Sequence, residues 1–285
     1  MKPEPAEREV VIEPSEGLRA LAWRELWAYR DLLGLLVWRD YVARYKQTVL
    51  GPLWFIVQPL LTTAVFTIVF GKFAGIRTAD APPVLFYLAG LLAWNYFAQT
   101  FQSTSATLVN NAAMFGKVYF PRLIVPLSAV VSNLGTLLIQ VVTFAAVYGA
   151  YALIGLPADT GLHATLCALP LVVLQVAALS LGVGLWLAAL TARYRDFTVL
   201  AGFLLQLWLY ATPVIYPLRE VPAAWRPVVL ANPMTMPVEV FRHALLGAGD
   251  PNLPGVIASV ALTAFLLATG LRLFRRVEKT FVDAI

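Results

Sequence analysis

The side chains best suited to proton transfer or metal binding lie outside the long apolar runs of this sequence. Six runs contain no aspartate or glutamate, at about 52–73, 84–103, 123–155, 164–191, 198–216 and 255–272. Carboxylates near the edges of these runs include Asp40, Asp196 and Glu239, and His163 and His243 fall in separate segments. Proton carriers in membranes and metal-dependent transferases need such groups inside the protein and close together. The pattern argues against a proton-coupled pump and against a membrane enzyme of glycan assembly.

Nucleotide-binding chemistry is also missing from the sequence. No G-x-x-x-x-G-K-[ST] motif occurs, so no glycine-rich loop is available to cradle phosphates. No polar stretch is long enough for a nucleotide-binding domain. We therefore expect a non-enzymatic chain with no catalytic residue, metal site or cofactor of its own. The single cysteine, Cys167, cannot form a disulfide within the chain and is read as packing.

The composition indicates a protein that lies mostly in lipid. Hydrophobic residues make up 60% and charged residues 13% of the chain, against about 45–50% and about 25% in soluble domains. A run of about 20 apolar residues crosses a hydrocarbon core about 30 Å thick. The six runs therefore predict an all-α, six-span transmembrane domain over residues 51–285.

The basic residues predict the side of each loop. Residues 1–17 are polar and lack the apolar core of a signal peptide, so this terminus is expected in the cytoplasm. With six spans, the outer segments carry only Lys72, Arg77, Arg219, Arg226 and Arg242 of the 21 basic residues. Cytoplasmic loops are enriched in Lys and Arg, so both termini are predicted to be cytoplasmic. The net charge of +5 is explained by topology and requires no nucleic-acid partner.

Residues 213–254 are predicted to form outer re-entrant half-helices before the last span. The segment is rich in proline yet stays apolar, with Pro213, Pro217, Pro222, Pro227, Pro233 and Pro237. A structureless loop of this length is uncommon in a compact protein. Irregular backbone at membrane depth must be shielded by protein.

Residues 18–50 are predicted to form an amphipathic helix at the membrane surface. Its apolar positions recur at helical spacing: Leu18, Leu21, Ala22, Leu26, Tyr29, Leu33 and Leu36. Gly51 and Pro52 follow, and they suit a turn into the first span. Two readings stay open. The helix is either a plain anchor or a mechanical linkage in which the Gly51-Pro52 hinge carries motion to the span.

Aromatic and basic side chains give two further hypotheses. An aromatic substrate path would use Phe66 and Phe70 on the first span and Trp94, Phe97 and Phe101 on one face of the second, but aromatics in a bilayer also pack or face lipid. A basic rim at the cytoplasmic side contains Arg39, Arg44, Lys46, Lys117 and Arg122. The positive-inside bias alone accounts for most such residues.

Five stretches resemble one family. They are RDYVARYKQTVLGPLWFIVQPLL (39–61), NNAAMFGKVYFPRLIVPL (110–127), ARYRDF (192–197), LWLYATPVIYPL (207–218) and NPMTMPVEVFRHALLG (232–247). In this order they resemble the permease subunits of type-2 ABC exporters of polysaccharides, the O-antigen, teichoic-acid and capsule exporter family. The resemblance covers the chain from about residue 30 to its end.

The resemblance implies an ATP-driven export of a lipid-linked polysaccharide across the bacterial cytoplasmic (inner) membrane. It implies a second copy of this chain and two copies of a cytoplasmic ABC ATPase, which would hold ATP and Mg. A type-2 ABC permease for a lipid or drug is the alternative, since the fold is shared.

The resemblance also implies roles for residues. Coupling to the ATPase would fall on the loop between spans two and three and on the loop after span four: Leu108, Val109, Asn110, Asn111, Phe115 and Lys117, with Arg193 and Asp196. A lipid-pyrophosphate headgroup would suit Arg39, Arg44, Lys46 and Arg122. The aromatic path would carry the glycan, and Gly51 and Pro52 would be the hinge.

Overall fold

A computed structural model gives the fold and describes residues 23–46, 48–78, 81–115, 120–154, 164–194 and 196–281. These residues form helices and turns and contain no β-strand, which confirms the all-α prediction. The predicted polar terminus 1–17 lies outside the described residues. The helices are α1 (Trp23–Ala28), α2 (Arg30–Tyr45), α3 (Trp54–Phe66), α4 (Pro83–Ser105), α5 (Thr107–Asn110), α6 (Ala112–Phe115), α7 (Ile124–Leu153), α8 (Leu169–Thr191), α9 (Phe197–Ala211), α10 (Arg226–Ala231), α11 (Thr235–Leu246) and α12 (Leu253–Phe281).

Within the described residues, five helical segments are long and apolar enough to cross a membrane. They are Gly51–Phe73, Pro83–Ser105, Ile124–Leu153, Thr165–Thr191 and Leu253–Glu278. The remaining predicted span, α9, has 15 residues, which is about 22 Å at 1.5 Å per residue. It ends because Thr212 is extended and Pro213 cannot continue a helix. Helix length alone thus supports five spans where the sequence predicts six.

The surface helix differs from its prediction. It is interrupted at Tyr29, whose backbone (φ −98°, ψ 18°) separates α1 from α2, and it ends at Tyr45 rather than at residue 50. Lys46 is already extended, and the β-branched Thr48 and Val49 before the Gly51-Pro52 pair are poor helix formers. Leu36 is buried, and Leu26, Tyr29, Leu32 and Leu33 pack beside it. The described part of the predicted apolar face therefore contacts the bundle, while Leu18, Leu21 and Ala22 lie outside the described residues.

Helix α4 lies at the centre of the bundle. It contacts α3, α7, α8, α9 and α11, and most of its side chains are buried. On the far side of α8, glycines bring α8 and α12 together. A Cβ on Gly182 would lie 2.7 Å from the Cα of Leu267, and a Cβ on Gly270 would lie 2.3 Å from the carbonyl oxygen of Gly182. Small residues let helix backbones approach this closely in membrane proteins.

Apolar clusters mark the two ends of the bundle. At the α5–α6 end, one cluster joins α2, the 108–125 region, α8 and α12: Leu36, Leu108, Phe115, Phe120, Ile124, Val125, Leu181, Leu185, Ala188 and Phe274. At the α10–α11 end, Phe86, Tyr87 and Ile215 pack with Phe66 and Phe70. Of the described segments, those predicted to be cytoplasmic that join this first cluster lie at one end, and the residues around 66–87 and 215 lie at the other.

Candidate functional site

The first candidate site is the surface at the α5–α6 end. Instead of one short helix, the chain forms two single turns separated at Asn111, whose side-chain amide donates to the carbonyl of Thr107 at 3.0 Å. The side chain of Val109 is 41% exposed, and Asn110 is exposed beside it. These two residues project from the bundle at the point where the sequence predicts an ATPase contact.

Two of the predicted coupling residues face inward. Leu108 is fully buried, and only 8% of Phe115 is exposed. Both pack in the cluster formed with Leu36, Leu185 and Phe274. The resemblance assigns both residues to coupling, but their contacts lie within this chain, where they hold α5 and α6 in place and leave neither side chain exposed to a partner. Lys117 lies outside the described residues.

The other two predicted coupling residues, Arg193 and Asp196, lie at the same end of the bundle and are exposed. The Thr191 hydroxyl, at the end of α8, donates to the Ser105 carbonyl at 3.1 Å. This bond fixes the loop after α8 against the end of α4, next to α5. The structure therefore brings the two predicted coupling loops to one surface.

Arg39 connects the surface helix to α5 and α6. Its guanidinium forms a 2.8 Å ion pair with Asp40, lies 3.5 Å from Oδ1 of Asn111 and 3.7 Å from the sulfur of Met114. The Ser128 hydroxyl, on α7, donates to Asp40 at 3.4 Å. Polar contacts thus join α2 to α7 and to the segment 107–115, which contains α5 and α6. A movement of the segment 107–115 would act directly on α2.

The basic residues predicted for a pyrophosphate headgroup do not gather into one free cluster. Arg39 is engaged as just described. Arg122 donates from Nη1 to the carbonyl of Glu278 at 2.8 Å, and its guanidinium lies 5.5 Å from the centre of the Phe115 ring. Lys46 is exposed at the end of α2, while the side chain of Arg44 lies outside the described part of the chain. The headgroup site stays a prediction.

The Gly51-Pro52 joint is a tight corner. Gly51 has φ +48°, in the left-handed region that favours glycine. A 3₁₀ turn, Gly51–Leu53, leads directly into α3. A Cβ added at Gly51 would meet nothing within 4 Å, so the backbone angle alone sets the requirement for glycine. The predicted hinge is thus separated from α2 by extended and bent residues.

The aromatic path predicted from the sequence is divided by the fold. Trp94, Phe97 and Phe101 are at most 5% exposed and pack in the core, with the Phe97 ring 4.9 Å from that of Trp208. They are core residues of this chain, because a central helix must fill the space between its neighbours. Phe66 and Phe70 are partly buried and contact each other edge to face at 5.4 Å.

The second candidate site, at the α10–α11 end, centres on a buried charge that the sequence reading missed. Arg242 of α11 is fully buried. Its Nη1 donates to the Pro213 carbonyl at 2.5 Å and its Nη2 donates to the Val214 carbonyl. The Phe86 ring lies 3.7 Å away, in cation–π contact. Arg242 therefore ties α11 to the end of α9 and to α4.

Glu239 completes this network. Its Oε1 lies 3.4 Å from Nη1 of Arg242, and its Oε2 accepts from the backbone N–H of Asp250 at 2.8 Å. Gly90 on α4 leaves the room required, because a Cβ there would lie 2.7 Å from Nη2 of Arg242. The E-x-x-R spacing within an apolar segment was the signal available in the sequence, since residues three apart face each other on a helix.

Asn232 forms a second bracket at the same end. Its Oδ1 accepts from the indole N–H of Trp208 at 2.9 Å and from the backbone N–H of Met234 at 3.0 Å. Its Nδ2 donates to the Thr212 hydroxyl at 2.9 Å. Helix α9 and the segment 213–246 are thus joined at two independent points.

In the part of the chain that the structure describes, the side chains able to bind a metal ion are dispersed. Over the described ranges, no group of three or more His, Cys, Asp or Glu side chains is placed to hold a metal ion.

Comparisons with known proteins give one family. A family model described as ABC-2 type transporter matches residues 31–246, from α2 through α11. An O-antigen export system permease protein RfbA of Myxococcus xanthus is 29% identical over 267 residues, which cover 92% of this chain and 98% of that protein. An RfbA of Klebsiella pneumoniae is 25% identical, covering 90% and 95%. A capsule polysaccharide export inner-membrane protein, CtrC, of Neisseria meningitidis serogroup B is 22% identical, covering 90% and 95%.

Proposed function

Because the chain belongs to the ABC-2 type transporter family, we propose that it is the permease subunit of an ATP-driven exporter of a lipid-linked polysaccharide. The observation that carries this proposal is the match, over at least 90% of both chains, to permeases named for O-antigen and capsule export. A family match alone would fit a lipid or drug permease equally well. The names of these full-length relatives favour a polysaccharide.

The proposed topology has six spans in the cytoplasmic membrane with both termini in the cytoplasm. In it, α9 crosses together with the residues that follow it, and α10 and α11 return into the outer leaflet as half-helices. The polar contacts of Asn232 and Arg242 support this, because they satisfy backbone and side-chain groups that lipid could not. The α5–α6 end is then cytoplasmic and the α10–α11 end faces outward.

The proposed assembly pairs two copies of this chain with two ATPase subunits, which hold ATP and Mg; no cofactor is assigned to this chain. A path for a glycan needs exposed surface, which Trp94, Phe97 and Phe101 do not offer. On α9, exposed apolar side chains recur at steps of four, four and three at Val199, Phe203, Leu207 and Tyr210. This face, with that of α3, is where we place the boundary between copies.

The function is tested by reconstitution. The permease, co-expressed with a candidate ABC ATPase from the same organism, is expected to co-purify with it in equal copy number. In inside-out vesicles the complex is expected to move a lipid-linked glycan inward only when ATP is supplied. ATPase activity that lipid-linked glycan leaves unchanged, with no glycan transfer, would contradict the proposal and favour the lipid or drug permease.

The orientation predicts which residues an impermeant thiol reagent reaches. In a Cys167→Ser background, Ala74→Cys and Ala223→Cys are expected to react in intact spheroplasts, since both positions are exposed at the outer end. Arg193→Cys, exposed at the opposite end, is expected to react only after permeabilisation. Equal labelling of Arg193→Cys and Ala223→Cys in intact cells would reject this topology.

The hinge role proposed for Gly51 and Pro52 is tested by Gly51→Ala. An alanine in the left-handed region costs about 1–2 kcal/mol, so both a fixed corner and a hinge predict lower stability. Only a hinge also predicts fewer glycans exported per ATP hydrolysed by the folded complex. Gly149→Ala on α7 is the matched control, because a Cβ there also meets nothing within 4 Å. Unchanged export per ATP in Gly51→Ala would leave the joint a static corner.

A further inference from the structure

A cavity opens at the α10–α11 end, between the loop after α3 and the segment before and along α10. Its volume is about 570 Å³, and its walls include Gly75, Arg77, Tyr216, Glu220, Trp225 and Val229. Sites for small molecules commonly enclose roughly 300–1,000 Å³. The cavity has the size of a site for one or two sugar rings. Neither the aromatic path nor the coupling surface includes it.

The side chains that line this cavity differ in chemistry. The indole of Trp225 is 64% exposed and offers a flat apolar face. Arg77 and Glu220 are also exposed, and among the described residues neither makes an ion pair within 4.0 Å. Arginine can only donate hydrogen bonds and an ionised glutamate can only accept them. The cavity therefore offers an aromatic face from Trp225, hydrogen-bond donors from Arg77 and hydrogen-bond acceptors from Glu220.

The backbone holds these walls in place. The N–H of Ile76 donates to the Phe70 carbonyl at 2.9 Å, and the N–H of Trp225 donates to the Pro222 carbonyl at 2.9 Å. The Tyr216 hydroxyl donates to the Tyr210 carbonyl at 3.3 Å. A preformed site loses less entropy on binding than a loop that must order itself.

We propose that this cavity binds one sugar ring of a glycan on the outer side of the membrane. The C–H face of a pyranose would stack on Trp225, while its hydroxyls donate to Glu220 and accept from Arg77. That this sugar belongs to the exported polymer rests on the proposed function; the binding chemistry does not. Glu220 disfavours an anionic lipid headgroup here, because its carboxylate would repel a phosphate.

The site would give the exporter a contact with the glycan as it leaves. Stacking on an aromatic face requires no fixed hydrogen-bond register, so successive rings can exchange. Such a contact would hold the emerging chain between ATP-driven steps. Arg77→Ala and Trp225→Ala are then expected to lower glycan export without lowering ATP hydrolysis.

Binding is measured by saturation-transfer NMR on the complex in lipid nanodiscs without ATP. The probes are the methyl glycosides of glucose, mannose, galactose, rhamnose and N-acetylglucosamine. At least one is expected to receive saturation, and its affinity is expected to fall roughly fivefold or more in Trp225→Ala, as loss of an aromatic contact implies. Trp225→Phe should restore part of the binding. Val228→Ala is the matched control, because Val228 is exposed on α10, three residues after Trp225, and does not line the cavity.

Each result decides the proposal. If none of the five glycosides receives saturation, the sugar site is overturned. Equal signals in wild type and Trp225→Ala would also overturn it, even if the complex exports glycan. Trp225-dependent binding by a complex that exports no glycan would keep the site and reject the transport function. If Trp225→Ala and Trp225→Phe unfold at the same temperature as the wild type, their loss of sugar binding is not caused by misfolding.

Discussion

Arg242→Met is expected to destabilise the folded permease by about 3–5 kcal/mol, because breaking a buried ion pair leaves an uncompensated charge. Glu239 would keep its carboxylate in a buried site with only the Asp250 N–H as a donor. The carbonyls of Pro213 and Val214 would also lose their donors. The measurement is the midpoint of thermal unfolding in detergent, followed by tryptophan fluorescence, together with the yield of monodisperse protein.

A double-mutant comparison separates the charge from the packing. Glu239→Gln with Arg242→Met removes both charges, while the glutamine carbonyl can still accept from Asp250. Replacing both partners of a buried pair costs less than removing one, so the double variant is expected to be more stable than Arg242→Met alone. The recovery should be partial, because each unpaired buried carbonyl still costs about 1–3 kcal/mol.

The matched control is Arg226→Met in the same outer segment. Arg226 is exposed, and its Nη2 donates to the Arg219 carbonyl at 3.1 Å. A surface substitution of this kind changes stability by about 0.5 kcal/mol or less. Equal losses in Arg226→Met and Arg242→Met would mean that the buried network does not anchor the outer segment.

The network explains how a proline-rich segment can stay folded at the edge of a membrane. Residues 213–216 end α9 and leave carbonyls without helical partners, which lipid cannot satisfy. Arg242 carries the donors to Pro213 and Val214, and Gly90 provides the space. The Arg242 guanidinium therefore lies beside the non-helical backbone of residues 213–216. The proposed re-entrant half-helices and the proposed sugar cavity are both built on this segment, so we expect both to depend on that arrangement.

The helices of this protein could be predicted from the sequence because apolar runs and prolines determine them locally. The third predicted span, 123–155, differs from Ile124–Leu153 by no more than two residues at each end. The last predicted span, 255–272, is part of a helix that continues to Phe281. The apolar run ends near residue 272, before the helix ends at Phe281. The composition therefore predicts the membrane-spanning part of this helix but not its C-terminal end.

The candidate sites could be predicted only in part. The coupling loops were assigned to one side by charge, and the structure brings them to one surface. Burial could not be predicted in the same way. Leu108 and Val109 are adjacent and both apolar, yet one is buried and the other is 41% exposed, because adjacent residues on the helical turn of α5 point about 100° apart. The pairing of Glu239 with Arg242 likewise depends on helical geometry, which brings residues three apart to one face.

The second large expected effect follows from that difference between neighbours. Val109→Asp is expected to reduce glycan export at least about tenfold, the change that 1.4 kcal/mol of coupling energy would produce. An exposed carboxylate there places a charge in the proposed apolar contact with the ATPase while leaving the fold intact. ATP hydrolysis by the complex, or co-purification of the ATPase, is measured beside export on the same preparation.

Phe115→Asp is the contrasting variant, six residues away and buried. Its carboxylate would enter the cluster around Phe274 and Leu185, and an unpaired buried charge is strongly destabilising. Phe115→Asp is therefore expected to lower the yield of folded permease, whereas Val109→Asp should unfold at the wild-type temperature and yet export poorly. Wild-type export by folded Val109→Asp would remove this segment from the ATPase interface. The two variants therefore test two different roles. Buried Phe115 is expected to hold the segment 107–115 in place, whereas exposed Val109 is expected to contact the ATPase itself.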